Sequence, residues 1–362
     1  MLFNVDASGY FIEIGSLLDG SLETLMNNNY ADSKKVIVVD ENTNEFCLDF
    51  LITNFDCLKD AEVIMIPAGE ENKLLDICAQ VWLTLDEYKI GRSDVVINLG
   101  GGMITDMGGF MASLYMRGID YINIPTSLLA MVDASAGGKT GVDHGGIKNL
   151  IGVFSSPKAV FIDPTFLSTL PEGEFYSGFA EMLKHGLIIS PTHWSELSAL
   201  NDVQLEINEK HIYASIVIKN EIVHQDPFEK DERKKLNFGH TIGHALESYF
   251  LDKDPISHGY AVILGVLCES FISFKRNYIT MDEFSEIERV IVKNYQLLDL
   301  SSEDYSEIKR FMKSDKKNRN NKILGVLLIG IGEAIINQEY SDSEITDAFD
   351  YLNRLYAELI NS

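Results

Sequence analysis

The segment LNFGHTIGHALE, residues 236 to 247, places His240 and His244 four residues apart in a stretch that reads as amphipathic helix. Positions i and i+4 share a helix face, so both imidazoles could reach one divalent ion. A catalytic zinc usually takes three protein ligands and keeps a further position open for water or substrate. Additional donors stand in GFAEMLKHG, with Glu181 and His185, and in PISHGYAV, with His258, both in helical surroundings. Spacing alone makes His240 and His244 the expected ligand pair. The competing reading is a set of hydrogen-bonded core histidines.

A second stretch, VVINLGGGMITDMGGF, runs from an apolar strand through Gly100, Gly101 and Gly102 into a helix. Glycines let the backbone approach a ligand, and the amides of a helix start favour a phosphate. Thr105 stands where the third glycine of GxGxxG would fall, so a structural turn and a dinucleotide site both stay open. Asp40 in VVDENT, and Glu70 with Lys73 in PAGEENK, follow two earlier strands, at the carboxyl ends where open α/β sheets bind ligands. The stretch MVDASAGGKTGVDHGGIKNLIG carries Asp133, Lys139, Lys148 and Asn149 on a glycine-rich background with little helix or strand character. It is expected to be a long loop whose lysines hold a phosphate or carboxylate.

These residues must be positioned by two kinds of architecture. KKVIVVDEN, AEVIMIPAG, SDVVINLGGG, DYINIPTS and AVFIDPTF are strand-like and alternate with helical patterns, which implies an α/β fold with a mostly parallel, Rossmann-like sheet. Beyond about residue 166 helical spacing dominates, and only KILGVLLIGIGEA looks extended. The expected domains are therefore 1–165, α/β, and 166–362, mainly α-helical.

The chain has 362 residues, enough for about two ordinary domains. With 30 Lys plus Arg against 55 Asp plus Glu, the formal charge is -25, which opposes non-specific binding to nucleic acid or anionic lipid. An anionic ligand must then be captured by a local group of bases. Cys47, Cys57, Cys78 and Cys268 form no CxxC pattern and read as reduced, buried thiols. No run approaches the roughly 18 apolar residues of a membrane span, and the opening MLFNVDASGYFIEIG lacks a signal-peptide pattern. A cytoplasmic protein with no membrane and no nucleic acid partner is expected.

Taken together, VVDENT, GGGMITDMGGFMASLYMRG, IPTSLLAMVDASAGGKTGVD, KNLIGVF, TLPEGEFYSGFAEMLKHG, LNFGHTIGHALE and SDKKNRNNK resemble the 3-dehydroquinate synthase family of sugar phosphate cyclases, over nearly the whole chain. The resemblance implies an N-terminal NAD-binding domain, a helical zinc- and substrate-binding domain, and a homodimer. It implies conversion of 3-deoxy-D-arabino-heptulosonate 7-phosphate to 3-dehydroquinate and phosphate. Zinc, with cobalt as a replacement, would be held by Glu181, His240 and His258, while His244 would face the substrate. Asp40, Asn42, Glu70, Lys73, Gly101, Gly102, Asp106, Thr126, Ser127, Lys148 and Thr169 would surround NAD. Asp133, Lys139, Asn149, Lys184, Lys219, Arg233 and Asn237 would surround the sugar phosphate, Arg117 would reach the neighbouring subunit's substrate, and Lys316 or Lys317 would close the site.

Ser127 replaces a common threonine, Gly173 a frequent arginine, and Asp231 with Glu232 a usual Gly-Leu pair before Arg233. Facing inward, those two acids would weaken anion capture. The rivals sharing the fold are inosose- and valiolone-forming cyclases and glycerol dehydrogenase-like oxidoreductases. A non-catalytic paralogue would be expected to lack a zinc ligand or substrate lysine, and none is missing.

Overall fold

The computed structural model describes residues 1–145, 147–251, 253–314 and 322–361. Two compact units divide the chain: Met1–Gly178 with Ile207–Asn220, and Phe179–Glu206 with Glu221–Ser362. The division lies at Gly178 rather than at the expected 165, and it falls inside the helices Glu172–Ile189 and Glu209–Gln225. A continuous helix carries no compositional break, so the sequence gives no sign of the boundary.

In chain order the strands of the first unit are β1 (Phe3–Ala7), β2 (Tyr10–Ile14), β3 (Lys35–Asp40), β4 (Glu62–Ile66), β5 (Val95–Gly100), β6 (Asp120–Pro125), β7 (Lys139–His144), β8 (Ile147–Phe154) and β9 (Ala159–Ile162). Seven of them form one sheet in the order β1-β2-β9-β6-β5-β3-β4. The β1/β2 pair is antiparallel and every other pairing in this sheet is parallel. β5 and β9 are buried along their whole length, as expected of parallel strands covered on both faces, whereas the edge strand β4 exposes alternate residues. The chain leaves β3 to form β4 on one side and returns to place β5 on the other. The carboxyl ends of β3 and β5 therefore flank the switch in strand order, where such sheets leave a ligand crevice.

The glycine-rich stretch after Asp133 is not the expected loop. β7 and β8 pair as an antiparallel hairpin, with Gly141 opposite Gly152 and an irregularity after Val142. Its stability comes from tertiary contact: a Cβ at Gly109 would strike Thr140 and Tyr121, so the Gly102–Leu114 helix lies directly against β7. A pattern of glycines and charges conceals such a strand because local propensity does not favour it.

The second unit is mostly helical, with one antiparallel pair among the described residues, β10 (Ile323–Gly330) and β11 (Glu333–Tyr340). Its centre is the contact between the helices His240–Phe250 and His258–Lys275. A Cβ on Gly243 would lie 2.9 Å from the Ala261 carbonyl oxygen, and one on Gly265 would lie 2.8 Å from the Gly243 nitrogen. The two helices thus meet backbone to backbone. Gly239 turns the chain into the first of them at φ 79, a left-handed value that suits glycine. The fully buried carboxylate of Glu269, on the second helix, accepts from the Gly239 and Ile242 amides at 2.8 and 3.2 Å. It satisfies amides at a helix start that no side-chain cap serves. Among the described residues no helix is long and apolar enough to cross a membrane.

Replacing Gly265 with alanine should force these helices apart. A loss of about 1 to 3 kcal/mol is expected, read as a lower urea midpoint at unchanged slope.

Candidate functional site

The first unit gathers its charged residues at the carboxyl ends of the parallel strands. Gly100 ends β5, and the Gly102–Leu114 helix starts from Gly101 with no side-chain cap and no acid in its first turn. The amides at that end are oriented for an anion. A Cβ on Gly101 would come within 3.3 Å of Ser127 Oγ, and Thr126 donates its amide to Gly100 at 3.0 Å. Gly108, rather than a glycine at 105, supplies the close approach of helix to strand, since a Cβ there would collide with the Asn98 side chain on β5.

Lys73 is buried and donates to Asp106 Oδ2 at 2.7 Å, with Glu70 Oε1 at 3.4 Å. Burial alone would lower its pKa, but Asp106, then Glu70 and Asp143, hold the ammonium above its ordinary value. Burial raises the Asp106 carboxyl, against the pull of Lys73. Asp143 joins this group from the hairpin: its amide donates to the Lys73 carbonyl at 2.8 Å and its Oδ1 accepts the Asn149 amide at 2.6 Å. Sequence reasoning missed Asp143, because its partners come from chain positions unrelated by any spacing.

Asp40 is committed locally, accepting the Thr43 amide at 2.8 Å to cap the short helix that follows β3. Asn42 is exposed beside it, and Thr169 Oγ1 donates to Phe166 at 3.3 Å. Asp133 lies in a π-type turn, Ala130–Ala134, closed by the Ser135 amide on the Ala130 carbonyl at 3.1 Å. Lys219, nearly buried, pairs with Asp133 Oδ1 at 2.5 Å. Lys139 is exposed at the start of β7, Lys148 is half-buried in β8, and Arg117 is exposed at φ 69.

In the second unit, Glu181 is fully buried. Its Oε1 faces His240 Nε2 at 3.4 Å and His258 Nε2 at 3.9 Å, and it accepts no hydrogen bond. Its Oε2 pairs with buried Lys184, one turn along the same helix. His240 Nδ1 lies 3.1 Å from the Phe238 carbonyl, which can only accept, so Nδ1 donates there and Nε2 is the ring nitrogen that faces Glu181. His258 Nδ1 lies 3.2 Å from Glu247 Oε2. The ligand-type atoms of His240, His244 and His258 all lie within 4.8 Å of one another. A buried carboxylate oxygen without a hydrogen bond, facing two imidazole lone pairs, is a donor set that fits zinc or cobalt with room for substrate oxygens.

Arg233 is buried and donates from Nη1 to the Pro227 carbonyl at 2.7 Å. The loop is held by Asp226, which accepts the amides of Lys230, Asp231 and Arg233. Burial would raise the Asp226 carboxyl, but these amides and the Arg233 charge hold it below its ordinary value. Asp231 is exposed and Glu232 is engaged by Lys235 at 2.7 Å, so these two acids do not cancel the guanidinium. Asn237 donates to Glu229 Oε1 at 2.5 Å. Lys316 and Lys317 lie outside the described residues.

The fold recurs in 2-epi-5-epi-valiolone synthase from Streptomyces hygroscopicus subsp. jinggangensis, solved with NAD+ and Zn2+ bound. At 24% identity the alignment covers 97% of this chain and 98% of that one, with a TM-score of 0.80. The chain thus shares the fold of that synthase. Family models described as 3-dehydroquinate synthase N-terminal and C-terminal match residues 63–177 and 178–318. The 3-dehydroquinate synthase of Parabacteroides distasonis is 40% identical over 321 residues, 88% of this chain and 91% of its own length. That of Clostridium botulinum is 37% identical over 342 residues, 93% of this chain and 97% of its own. The chain belongs to the 3-dehydroquinate synthase family.

Lys73→Met should leave Asp106 without its counter-charge, costing about 3 to 5 kcal/mol near neutral pH. Losing Lys73 raises the folded Asp106 pKa further, so the folded state binds the extra proton in the window above the unfolded value. The deficit against the parent should therefore shrink as pH falls through that window, which urea titrations at several pH values would measure.

Proposed function

We propose that this chain is a 3-dehydroquinate synthase, a phosphate-eliminating lyase of aromatic amino acid biosynthesis that turns 3-deoxy-D-arabino-heptulosonate 7-phosphate into 3-dehydroquinate and phosphate. The observation that carries the reading is the buried Glu181 Oε1 facing the Nε2 atoms of His240 and His258. Glu181, His240 and His258 would hold a divalent metal, zinc with cobalt as its substitute, which would supply Lewis acidity and orient the substrate's hydroxyls. NAD would supply a reversible hydride acceptor, the redox chemistry that lets the substrate's C-H become acidic enough for β-elimination of phosphate. Re-reduction, ring opening and an intramolecular aldol step complete the carbocycle.

The chain's own residues position and stabilise charge. The unneutralised helix start at Gly101 and Gly102 receives the NAD pyrophosphate, with Ser127 and Thr126 lining the turn. Lys73, fixed between Asp106 and Glu70, orients the cofactor's polar groups, with Asp40, Asn42, Lys148 and Thr169 completing that set. Asp133, Lys139, Asn149, Lys184, Lys219, Arg233 and Asn237 would serve the substrate's hydroxyls, carboxylate and phosphate. His244, one turn from His240 on the same helix, exchanges protons with the substrate.

The protein is further assigned as a cytoplasmic homodimer. Leu114 and Met116, both exposed, lie just before Arg117 in the chain, and such side chains would be covered by a second copy. Arg117 would then serve the neighbouring subunit's substrate.

Incubation with the heptulosonate phosphate, NAD and Zn2+ should release phosphate and 3-dehydroquinate in equal amounts, with no net NADH. A chelator should abolish turnover, and zinc or cobalt should restore it. Net NADH from a simple polyol would favour a dehydrogenase instead. His240→Ala should lose metal on dialysis, whereas His244→Ala should keep metal and lose rate by about 100-fold or more; equal metal loss would overturn the division of roles. Sedimentation should give a dimer, and activity of an Arg117→Ala and His244→Ala mixture would test the shared site.

A further inference from the structure

We infer that Glu247 is a positioning residue for the metal centre, acting through His258; this rests on the metal reading above. His240, His244 and Glu247 stand at i, i+4 and i+7 on one helix, so they share a face. Glu247 is almost completely buried, and its Oε2 lies 3.2 Å from His258 Nδ1. A carboxylate needs no such burial to cap or solubilise a helix, and its desolvation must be offset by its partners. The Nδ1 proton of His258 provides one.

This contact does two things. It fixes the tautomer, so that Nε2 turns its lone pair towards Glu181, 3.9 Å away. It also fixes the ring's rotation, because His258 is the first residue of its helix and has no preceding helical turn to restrain it. His240 has a carbonyl, that of Phe238, in the same role. The two imidazoles are therefore oriented unequally, one by a neutral acceptor and one by an anion. The anionic partner makes His258 the stronger donor and adds a negative charge close to the cation.

The two helices hold each other reciprocally. Glu269 of the His258 helix fixes the start of the His240 helix, and Glu247 of the His240 helix fixes the His258 ring. Each helix contributes one histidine and one buried carboxylate that orients the other's contribution.

The test uses the full chain, stripped of metal, titrated with Zn2+ against a chromophoric chelator and separately with Co2+ followed by visible absorption. Glu247→Gln keeps an acceptor for Nδ1 and loses the charge; about 10-fold weaker zinc binding is expected. Glu247→Ala loses both, and about 100-fold is expected, with an altered cobalt spectrum. Thermal unfolding of apo Glu247→Gln should match the parent, while the upward shift on adding zinc should be smaller. Parental zinc affinity and cobalt spectrum in both variants would overturn the proposal, as would equal destabilisation of apo and metal-loaded forms. A parent chain that retains neither zinc nor cobalt would remove the metal reading itself, and this proposal with it.

Discussion

The second unit depends on the approach of two helix backbones. His240–Phe250 and His258–Lys275 touch where Gly239, Gly243 and Gly265 leave no side chains between them. Only at that spacing can Glu269 reach the amides of Gly239 and Ile242, and only then do two histidines from separate helices come to one carboxylate. The contact is stiff because backbone, unlike a long side chain, has no rotamers through which to relax. A ligand set built on it is held in advance, which lowers the reorganisation needed when a cation binds.

Under the function proposed above, the first unit faces a different problem, that of holding an anion in a chain with a net charge of -25. It does so without a surplus of bases. Lys73 and Lys219 are each tied to a carboxylate, Asp106 and Asp133, so that their positions are fixed. The helix that begins at Gly102 adds backbone amides whose partial charge is not offset by acid in the first turn. That partial charge acts at short range, where the distant acids are screened by solvent and salt.

Much of this was legible in the sequence. The five apolar runs became β3, β4, β5, β6 and β9, since parallel strands in a covered sheet need little besides continuous hydrophobicity. The i, i+4 spacing of His240 and His244 pointed to a shared face, and the structure brings His258 to the same place and sets the buried Glu181 against His240 and His258, a convergence no spacing encodes. The hairpin of β7 and β8 was not legible, because pairing of Gly141 with Gly152 and packing on Gly109 are tertiary facts. Asp143 was hidden for the same reason. Glu247 did carry a signal, its place on the histidine face, but an acid on an amphipathic helix ordinarily reads as a solvated charge.

The chain path has a consequence for how the first unit can be built. That unit includes Ile207–Asn220, which follows a stretch belonging to the other unit. On a ribosome, residues 1 to 178 emerge with the sheet's strands all present, yet Asp133 has no Lys219 until 86 residues later. Assembly of this part of the site is therefore a late, non-local event, slower to form than the sheet around it. A fragment ending at Gly178 could contain the whole sheet and still lack a cation it needs, so the sheet is not a separable cofactor module.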